Sequence, residues 1–401
     1  MRIGMMVDSY KPYISGVTNQ VELLKTQMEK IGHQVFVFTF AEPQHTSDFQ
    51  NRIIRSPGIP IADTGFYLSW RYSRKAKHLL QSMDIVHVHH PFLSGRLALR
   101  YCRSIQIPIV FTYHSRYDLM AQSYLPLMPE EFSTGVLQTY LPTFCESVQL
   151  VTTPTPGMVK VLNDLKVETP IYVLPNGIEI KKFQTAKPLS RASLNFKEDD
   201  ILLVYVGRIA NEKNIPFLLE AFAGLAQAIH NVHLLIIGSG IQEYEDEITS
   251  LVQNLQIQNR VHFTGKVAYE DLPAYLAMCD IFVTASIAET FGMSNVEAMG
   301  AGLPVMGIQS VGVGDTVADG VTGLLSTHEL PAFTAKLTRL CLDVKLRQQL
   351  SINARQASCK YDIEKVTEEL VAQYHILHQS FQPHKSKWQN VLRRIAEKIV
   401  P

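Results

Sequence analysis

Two cations follow one of the apolar runs of the chain. The run ends at Val206 and Gly207, and Arg208 and Lys213 come directly after it. An arginine binds a phosphate through a planar fork, and a lysine does so as a compact positive charge. Held in one loop, the two side chains would bind both phosphates of a diphosphate. The alternative is a solvated loop with ordinary surface charges.

Two carboxylates eight residues apart form a second motif. Glu289 and Glu297 enclose the sequence TFGMSNV, and the stretch from Ser294 onward predicts a helix. Gly292 and Met293 then lie at the helix N-terminus, where free N–H groups and the helix dipole favour an anion. Glu289 would lie in the loop and Glu297 inside the helix, so the two acids could reach opposite ends of one elongated ligand. Two exposed glutamates are the alternative.

These motifs fall at the ends of predicted strands. Apolar runs rich in β-branched residues alternate with segments of helix length, as expected for buried parallel strands joined by crossover helices. One series of runs covers 3–7, 35–40, 85–88, 109–113 and 150–153, and a second covers 201–206, 233–237, 261–264, 281–284, 304–307 and 323–325. The pattern predicts two doubly wound α/β domains, joined within residues 173–183, with ligands beyond the strand C-termini.

The composition is that of a globular protein without a global charge. Hydrophobic residues make up 46% of the chain, and 37 Lys and Arg residues balance 37 Asp and Glu residues, so no overall field attracts nucleic acid. Five scattered cysteines, never in C-x-x-C spacing, argue against a disulfide framework or a zinc site. The sequence shows no signal-peptide pattern and no membrane span, so we expect a cytoplasmic protein that meets a membrane, if at all, peripherally on its inner face.

Together the motifs resemble those of the family-4 retaining glycosyltransferases, which have the GT-B fold. The E-x7-E pair is followed by EAMGAGLPV and preceded by LPNGIE and VGRIANEK, and the resemblance spans residues 1 to 378. It implies two doubly wound, Rossmann-like domains facing a deep interdomain cleft. An acceptor-binding domain would cover 1–175 and a nucleotide-sugar domain 176–378, while a final helix over 379–401 would cross back to the first domain.

The resemblance also implies roles in donor binding. Arg208 and Lys213 would hold the diphosphate, and Glu297 would bind the ribose hydroxyls. Glu289 would hold the donor sugar. The remaining positions implied to line the donor site are backbone groups and strand-end residues: Gly16, Gly238, Val267, Phe291, Gly292 and Met293.

A histidine at the end of a strand resembles the active-site histidine of the family. His114 follows Thr112 and Tyr113, and we expect it to contact the donor sugar and the reacting bond. A lone histidine is otherwise a satisfied core or surface residue. That interpretation, or at most an acceptor contact, is given to His87, His89 and His90.

The mechanism implied for this site needs no tightly bound cofactor. No second carboxylate is evident as the nucleophile of a double displacement, so retention would rest on stabilising the leaving diphosphate while the acceptor attacks from the same face. The sequence contains no Asp-x-Asp motif and no metal ligand is assigned. A divalent metal is compatible with the site but is not required.

The acceptor is sought in the N-terminal domain. Segment 59–78 places Trp70 beside Arg71, Arg74 and Lys75, and residues 115–145 are dense in Tyr, Leu, Met and Pro. Aromatic and basic residues together are typical of a membrane interface, although a helix hairpin packed on its own domain is equally compatible. The region resembles bacterial diacylglycerol glucosyltransferases, which implies transfer of a hexose, with UDP-glucose and a membrane lipid as substrates. Tyr10 and Tyr117 are the further candidate acceptor contacts.

Three alternatives stay open at this point. The acceptor could be phosphatidylinositol or a soluble sugar, and the same donor site could serve a nucleotide-sugar epimerase of GT-B fold. A catalytically silent subunit is disfavoured because every expected site residue is present. The sequence leaves the oligomeric state open.

Overall fold

The computed structural model describes residues 1–13, 15–42, 47–61, 65–117 and 130–381. The chain forms two compact units. Unit 1 contains Met1–Gly177 and the segment that starts at Ile363, and unit 2 contains Ile178–Asp362. The boundary after Gly177 lies within the predicted linker. The chain re-enters unit 1 at Ile363, earlier than the predicted position 379, and most of the predicted helix over 379–401 lies outside the described residues.

Unit 1 is built on a parallel sheet whose central strands are almost fully buried, whereas the strands at its two edges are only partly buried. The sheet has the order β3-β2-β1-β6-β7-β8-β9, and β4 and β5 form a separate antiparallel hairpin. The strands are β1 (Arg2–Met6), β2 (Gln34–Ala41), β3 (Ile53–Pro57), β4 (Ile59–Pro60), β5 (Tyr67–Leu68), β6 (Ile85–Val88), β7 (Ile109–Thr112), β8 (Leu150–Thr153) and β9 (Ile171–Val173).

The helices of unit 1 connect these strands. They are α1 (Gly16–Lys30), α2 (Arg74–Leu80), α3 (Leu93–Cys102), α4 (Glu130–Cys145) and α5 (Pro156–Asp164). Helix α1 begins at a capping box in which Ser15 and Thr18 satisfy each other's backbone N–H groups. Its buried stripe of Val21, Leu24 and Met28 packs on the sheet.

Unit 2 repeats the architecture, with the strand order β12-β11-β10-β13-β14-β15. Its strands are β10 (Ile201–Val206), β11 (Val232–Ile237), β12 (Val261–Gly265), β13 (Ile281–Thr284), β14 (Val305–Ile308) and β15 (Gly323–Ser326). Its helices are α6 (Ile180–Gln184), α7 (Ile215–Ala228), α8 (Gln242–Asn254), α9 (Leu272–Met278), α10 (Met293–Ala301), α11 (Val311–Thr316), α12 (Leu330–Leu342) and α13 (Val344–Ser358).

The last described helix, α14 (Ile363–Phe381), belongs to unit 1. It contributes Val366, Leu370 and Tyr374 to the core that also holds Val21 of α1. The α/β, doubly wound prediction is therefore confirmed in both units.

The sequence analysis missed the shorter strands of unit 1. Strand β9 has three residues, and β3 contains Arg55 and ends in a proline, so neither shows a long apolar run. Segment 59–78 folds as the β4–β5 hairpin followed by α2, which differs from the helix hairpin considered as its alternative.

Candidate active site

The residues of unit 2 that were predicted to bind the diphosphate and the sugar lie together at the topological switch point of its sheet. Strands β10 and β13 are neighbours, while β11 and β14 lie on opposite sides of them. All pairings are parallel, so the loops after β10 and β13 leave from the same edge of the sheet. This position is the usual ligand site of an open parallel sheet.

An ion pair joins these two loops. The Lys213 ammonium contacts the Glu289 carboxylate, and each side chain is 18% exposed. Burial by itself would raise the pKa of Glu289, but the Lys213 charge and hydrogen bonds from Lys213 and Ser286 outweigh it and lower the pKa below its ordinary value. The Ser286 hydroxyl oxygen also lies 3.2 Å from the carbonyl oxygen of Glu212, so the same hydroxyl is within hydrogen-bond distance of the β10 loop.

Arg208 differs from Lys213 in its surroundings. Its side chain is 65% exposed and contacts Glu212 at 2.6 Å, one helical turn further along the chain. A surface pair of this kind contributes little to stability. The Arg208 guanidinium can therefore leave Glu212 for a phosphate at small energetic cost. Lys213 would have to leave the largely buried Glu289 carboxylate, which costs more.

The N-terminus of α10 lies in the same loop cluster. Gly292 has φ +74°, and a β-carbon at this position would lie 2.4 Å from the Asn295 side-chain amide, so a larger residue is excluded on two grounds. The next N–H groups, of Met293 and Ser294, come too early in the helix to have partners within it. Phe291 is buried in the core and packs edge-on against Tyr361. The loop thus presents backbone donors while its aromatic side chain anchors it.

The second acid of the motif is buried inside α10. Glu297 is 5% exposed, and this burial raises its pKa to about 7, although the nearby Tyr269 hydroxyl lowers it somewhat. Tyr269 stands on Phe183, with the rings nearly perpendicular and 6.1 Å apart. The two acids of the motif therefore differ in charge state near neutral pH, with Glu289 ionised and Glu297 about half protonated.

Glycines let neighbouring strand ends approach one another. A β-carbon on Gly238, after β11, would lie 1.9 Å from the carbonyl oxygen of Gly207, after β10. Gly238 also has φ +138°, a backbone conformation that residues with a side chain rarely adopt. Both the close approach and the backbone conformation therefore require glycine. Val267, two residues beyond β12, is half-buried and packs on the adjoining core. The structure thus brings the predicted nucleotide loops to one edge of the sheet.

The corresponding edge of unit 1 carries a buried polar cluster. Asp8 follows β1 and accepts hydrogen bonds from the backbone N–H and the hydroxyl of Ser94, at the start of α3. Its backbone N–H donates to His90 Nδ1 at 3.1 Å. Burial raises the pKa of Asp8, and the bonds from Ser94 and the His90 ring partly oppose this. Asp8 joins the loops after β1 and β6, the switch point of this sheet.

His114 lies beside this cluster and contacts a second histidine. Its Nε2 lies 2.9 Å from His89 Nδ1, and the two rings are stacked with centroids 5.2 Å apart. Burial holds the pKa of both imidazoles well below the ordinary value, so both are neutral at physiological pH. His87 is a core residue, as expected, with its two nitrogens bonded to Tyr374 and Thr112.

The other predicted residues of unit 1 occupy different environments. Gly16 is exposed at the first position of α1, whereas Tyr10 is 6% exposed. Tyr117 is 1% exposed and packs edge-on against Phe92 and Tyr113, so its aromatic face is already covered. Residues 118–129, the middle of the predicted acceptor segment, lie outside the described residues.

Sequence reasoning missed three residues that the structure adds to the candidate site. Tyr269 and His89 contact the predicted residues Glu297 and His114 across more than 20 positions of the sequence, whereas Ser286 lies three residues before Glu289. Ser286 and His89 each follow a predicted strand closely, and that position was the available signal. Tyr269 lies in a loop with no comparable signal.

The fold and the site define a class of protein. Two Rossmann-like units, each with a parallel α/β sheet, are the architecture of GT-B glycosyltransferases. Sucrose-phosphate synthase from Thermosynechococcus elongatus has the same fold, with a TM-score of 0.78 at 22% identity over 94% of this chain and 99% of that one. Anabaena HepE in complex with UDP-glucose gives a TM-score of 0.72 at 21% identity over 93% of this chain and 99% of that one.

Sequence comparison identifies the family. Residues 14–182 match the model of glycosyltransferase family 4, and residues 186–357 match that of the glycosyl transferases group 1. The chain is 32% identical to alpha-monoglucosyldiacylglycerol synthase of Streptococcus pneumoniae over 348 residues, 82% of this chain and 76% of that protein. The synthase of the same name from Acholeplasma laidlawii is 29% identical over 76% of this chain and 80% of that one. The chain belongs to the family-4, group 1 glycosyltransferases.

None of the helices within the described ranges is long and apolar enough to span a bilayer. Nor do those ranges contain a group of three or more His, Cys, Asp or Glu side chains arranged to hold a metal ion.

Proposed function

We propose that this glycosyltransferase moves a hexose from a nucleotide diphosphate sugar to a hydroxyl of a membrane lipid, with retention at the anomeric carbon. The observation that carries the donor half is the cluster at the β10–β13 switch point. Arg208 and Lys213 supply two positive charges, α10 supplies free backbone donors, and Glu289 and Glu297 supply two acceptors for hydroxyl groups.

Each part of the donor molecule is assigned to one of these groups of residues. A diphosphate is held by Arg208, Lys213 and the start of α10, because each offers positive charge or N–H donors. The ribose hydroxyls donate to Glu297, and the sugar hydroxyls donate to Glu289. Lys213 then leaves Glu289 for the phosphates, so its ion pair with Glu289 is replaced by two contacts with the donor.

Given retention, which the family resemblance implies, neither of the two acids considered is suited to act as the nucleophile of a double displacement. Asp8, the buried acid at the edge of unit 1, already accepts hydrogen bonds from Ser94 and from the N–H of Leu93. In the proposed donor complex, Glu289 accepts hydrogen bonds from the sugar hydroxyls. We therefore assign the main catalytic effect to stabilisation of the departing diphosphate, with the acceptor hydroxyl attacking the anomeric carbon from the face that the diphosphate leaves.

The proposed donor is UDP-glucose, so its two variable parts are glucose and uridine. Two relatives, 32% and 29% identical to this chain, are named alpha-monoglucosyldiacylglycerol synthase. Their sequence similarity supports a glucosyl donor and a diacylglycerol acceptor here, and the shared fold of HepE, described in complex with UDP-glucose, is compatible with this donor.

A basic surface on unit 1 supports a lipid acceptor. Between Gly65 and Tyr117 the chain has eight Arg and Lys residues but a single acid, Asp84, although the whole chain is neutral. Six of these cations are exposed and, with Trp70, form what we call the basic surface: Arg71, Arg74, Lys75, Arg96, Arg100 and Arg103.

The parts of the basic surface are adjacent in space. Arg96, Arg100 and Arg103 follow one another at intervals of four and three residues on and just after α3, and so share one face. The Arg100 guanidinium lies 3.5 Å from the carbonyl oxygen of Trp70. Trp70 itself is 67% exposed, and Ile59 and Leu68 of the adjoining hairpin are also exposed. Exposed apolar side chains beside unopposed cations are suited to the interface of an anionic membrane.

A donor panel crossed with an acceptor panel tests this function. Purified protein is incubated with UDP-glucose, UDP-galactose or GDP-mannose, and with diacylglycerol in anionic vesicles, phosphatidylinositol vesicles or soluble sugars. We expect an α-linked glucosyl lipid, identified by NMR of the anomeric proton. A β-linked product would refute retention, and a 2-epimer formed without acceptor would identify an epimerase. Transfer to soluble sugars alone would refute the lipid acceptor.

A further inference from the structure

A buried tyrosine contacts the backbone of the predicted diphosphate loop. Tyr205 lies near the end of β10, is 2% exposed and belongs to the core cluster that also contains Leu203 and Ile209. Its hydroxyl donates a hydrogen bond to the carbonyl oxygen of Arg208, with 2.8 Å between the two oxygens. The proposed donor contacts leave this hydroxyl unused, although the bond ends on one of the two cations of the site.

The backbone on either side of Arg208 is held by the sheet. The N–H groups of Gly207 and Ile209 donate to carbonyl oxygens at and just beyond the end of β11, at 3.0 and 3.1 Å. Ile209 is 3% exposed, so its side chain anchors the loop in the core. Tyr205 supplies the remaining bond, to the Arg208 carbonyl, and three consecutive residues of the loop are thereby fixed.

The loop passes close to the tyrosine hydroxyl. A β-carbon on Gly207 would lie 2.7 Å from this oxygen, so a side chain at position 207 would displace the hydroxyl. Burial raises the pKa of Tyr205 well above its ordinary value, and the negative charges of Glu289 and Glu212 raise it further. The hydroxyl therefore stays protonated, and remains a hydrogen-bond donor, over the whole pH range of an enzyme assay.

The reach of the Arg208 guanidinium depends on this backbone. The side chain is 65% exposed and its contact with Glu212 is a surface pair, so packing does not fix the guanidinium. The position and direction of the Arg208 backbone then decide which points the guanidinium can reach. A backbone that is fixed before the ligand arrives also reduces the entropy lost on binding.

We propose that Tyr205 is a positioning residue for diphosphate binding, because its hydroxyl fixes the backbone from which Arg208 reaches the phosphates. The proposal rests on the proposed function, in which Arg208 binds the diphosphate of the donor. Tyr205 is itself buried, so its effect on the ligand passes through Arg208. Loss of the hydroxyl should therefore weaken the binding of ligands that carry the diphosphate and spare the nucleoside.

Tyr205→Phe removes the hydroxyl and keeps the ring. We expect the Kd of UDP, measured by calorimetric titration, to rise about 5–10-fold, as for the loss of one buried hydrogen bond. The Kd of uridine, measured by NMR titration, should stay within about twofold of wild type, and the Tm should fall by about 2–4 °C. Tyr374→Phe is the matched control, since it removes a buried hydroxyl of unit 1 that is bonded to His87. It should lower the Tm and leave UDP binding unchanged.

A double-mutant cycle tests whether the hydroxyl acts through Arg208. Added to Arg208→Met, Tyr205→Phe should weaken UDP binding by less than about twofold, because the cation that it positions is gone. If wild type binds GDP in place of UDP, the same comparison is made with GDP and guanosine.

Three results would overturn the proposal while leaving the proposed function intact. They are an unchanged Kd of UDP in Tyr205→Phe, an equal loss of UDP and uridine binding, and an undiminished loss of UDP binding when Tyr205→Phe is added to Arg208→Met. A wild-type protein that binds neither UDP nor GDP would refute the proposed function, and the role of Tyr205 with it.

Discussion

Removing the ammonium of Lys213 should destabilise unit 2 as well as prevent transfer. In Lys213→Met, the Glu289 carboxylate keeps its buried position but loses its positive partner. Breaking a fully buried pair from one side costs about 3–5 kcal/mol. Because both side chains are 18% exposed, solvent screens part of this, and we expect a loss of about 2–4 kcal/mol.

The double variant Lys213→Met/Glu289→Gln tests the origin of that loss. With no charge left to bury, it should return to within about 1 kcal/mol of wild type, since neutral replacement of a buried pair is often harmless. Arg208→Met is the matched control, because its pair with Glu212 is 65% exposed on the arginine side, and it should lose less than about 1 kcal/mol. All three variants should lose at least about 100-fold in transfer rate, since each lacks a diphosphate counter-charge.

Thermal denaturation, with hydrogen exchange of β10 and β13 amides to locate the effect, measures these differences. For a domain of 150–250 residues each kcal/mol shifts Tm by about 2–4 °C, so we expect Lys213→Met to melt roughly 4–16 °C lower. Calorimetric titration with UDP reports the loss of binding separately. An unchanged Tm in Lys213→Met, or a double variant as unstable as the single one, would refute the reasoning about the ion pair.

Three further predictions concern the rest of the candidate site. Burial raises the pKa of Glu297 to about 7, so the stabilising effect of its protonated form is complete below about pH 4.5 and lost as the pH rises through 7. Donor KM should therefore fall between pH 6 and 8 as the carboxylate forms, and Glu297→Gln, assayed over the same range, should show neither pH dependence. Changing Arg71, Arg74 and Lys75 together to Ser should weaken co-sedimentation with anionic vesicles by roughly two orders of magnitude, at about 1 kcal/mol per cation, while hydrolysis of the donor by water stays unchanged. If the triple variant binds the vesicles as well as the wild type does, the membrane assignment is contradicted. In Gly312→Ala the new β-carbon would lie 2.6 Å from the backbone oxygen of Glu289, in the loop before α10, so this loop must shift. Donor KM should rise about tenfold or more and the Tm should fall by about 2–12 °C. An unchanged KM would show that the loop does not shape the donor site.

Local patterns in the sequence determined the architecture. A buried parallel strand must be apolar along its length, and a helix must carry an apolar stripe, so both leave periodicities that are visible without any contact. The strand-end residues Arg208, Gly238 and Glu289 were predicted correctly to lie at one edge of unit 2, because parallel strands all end on the same side. Strand β3 was missed because Arg55 and a final proline interrupt its apolar run, and β9 because its three residues are only partly buried and form no long run.

The tertiary structure decided the properties that depend on distant residues. The sequence treats Arg208 and Lys213 alike, yet only Lys213 meets Glu289, a residue 76 positions away. Likewise Glu297 is a helical glutamate in the sequence, and the pKa of about 7 arises because the fold removes it from water. A charge state depends on all the atoms around a group, and most of those atoms belong to other segments of the chain. The same reason explains His89, whose significance appears only when β6 and β7 become neighbours and bring it within 2.9 Å of His114.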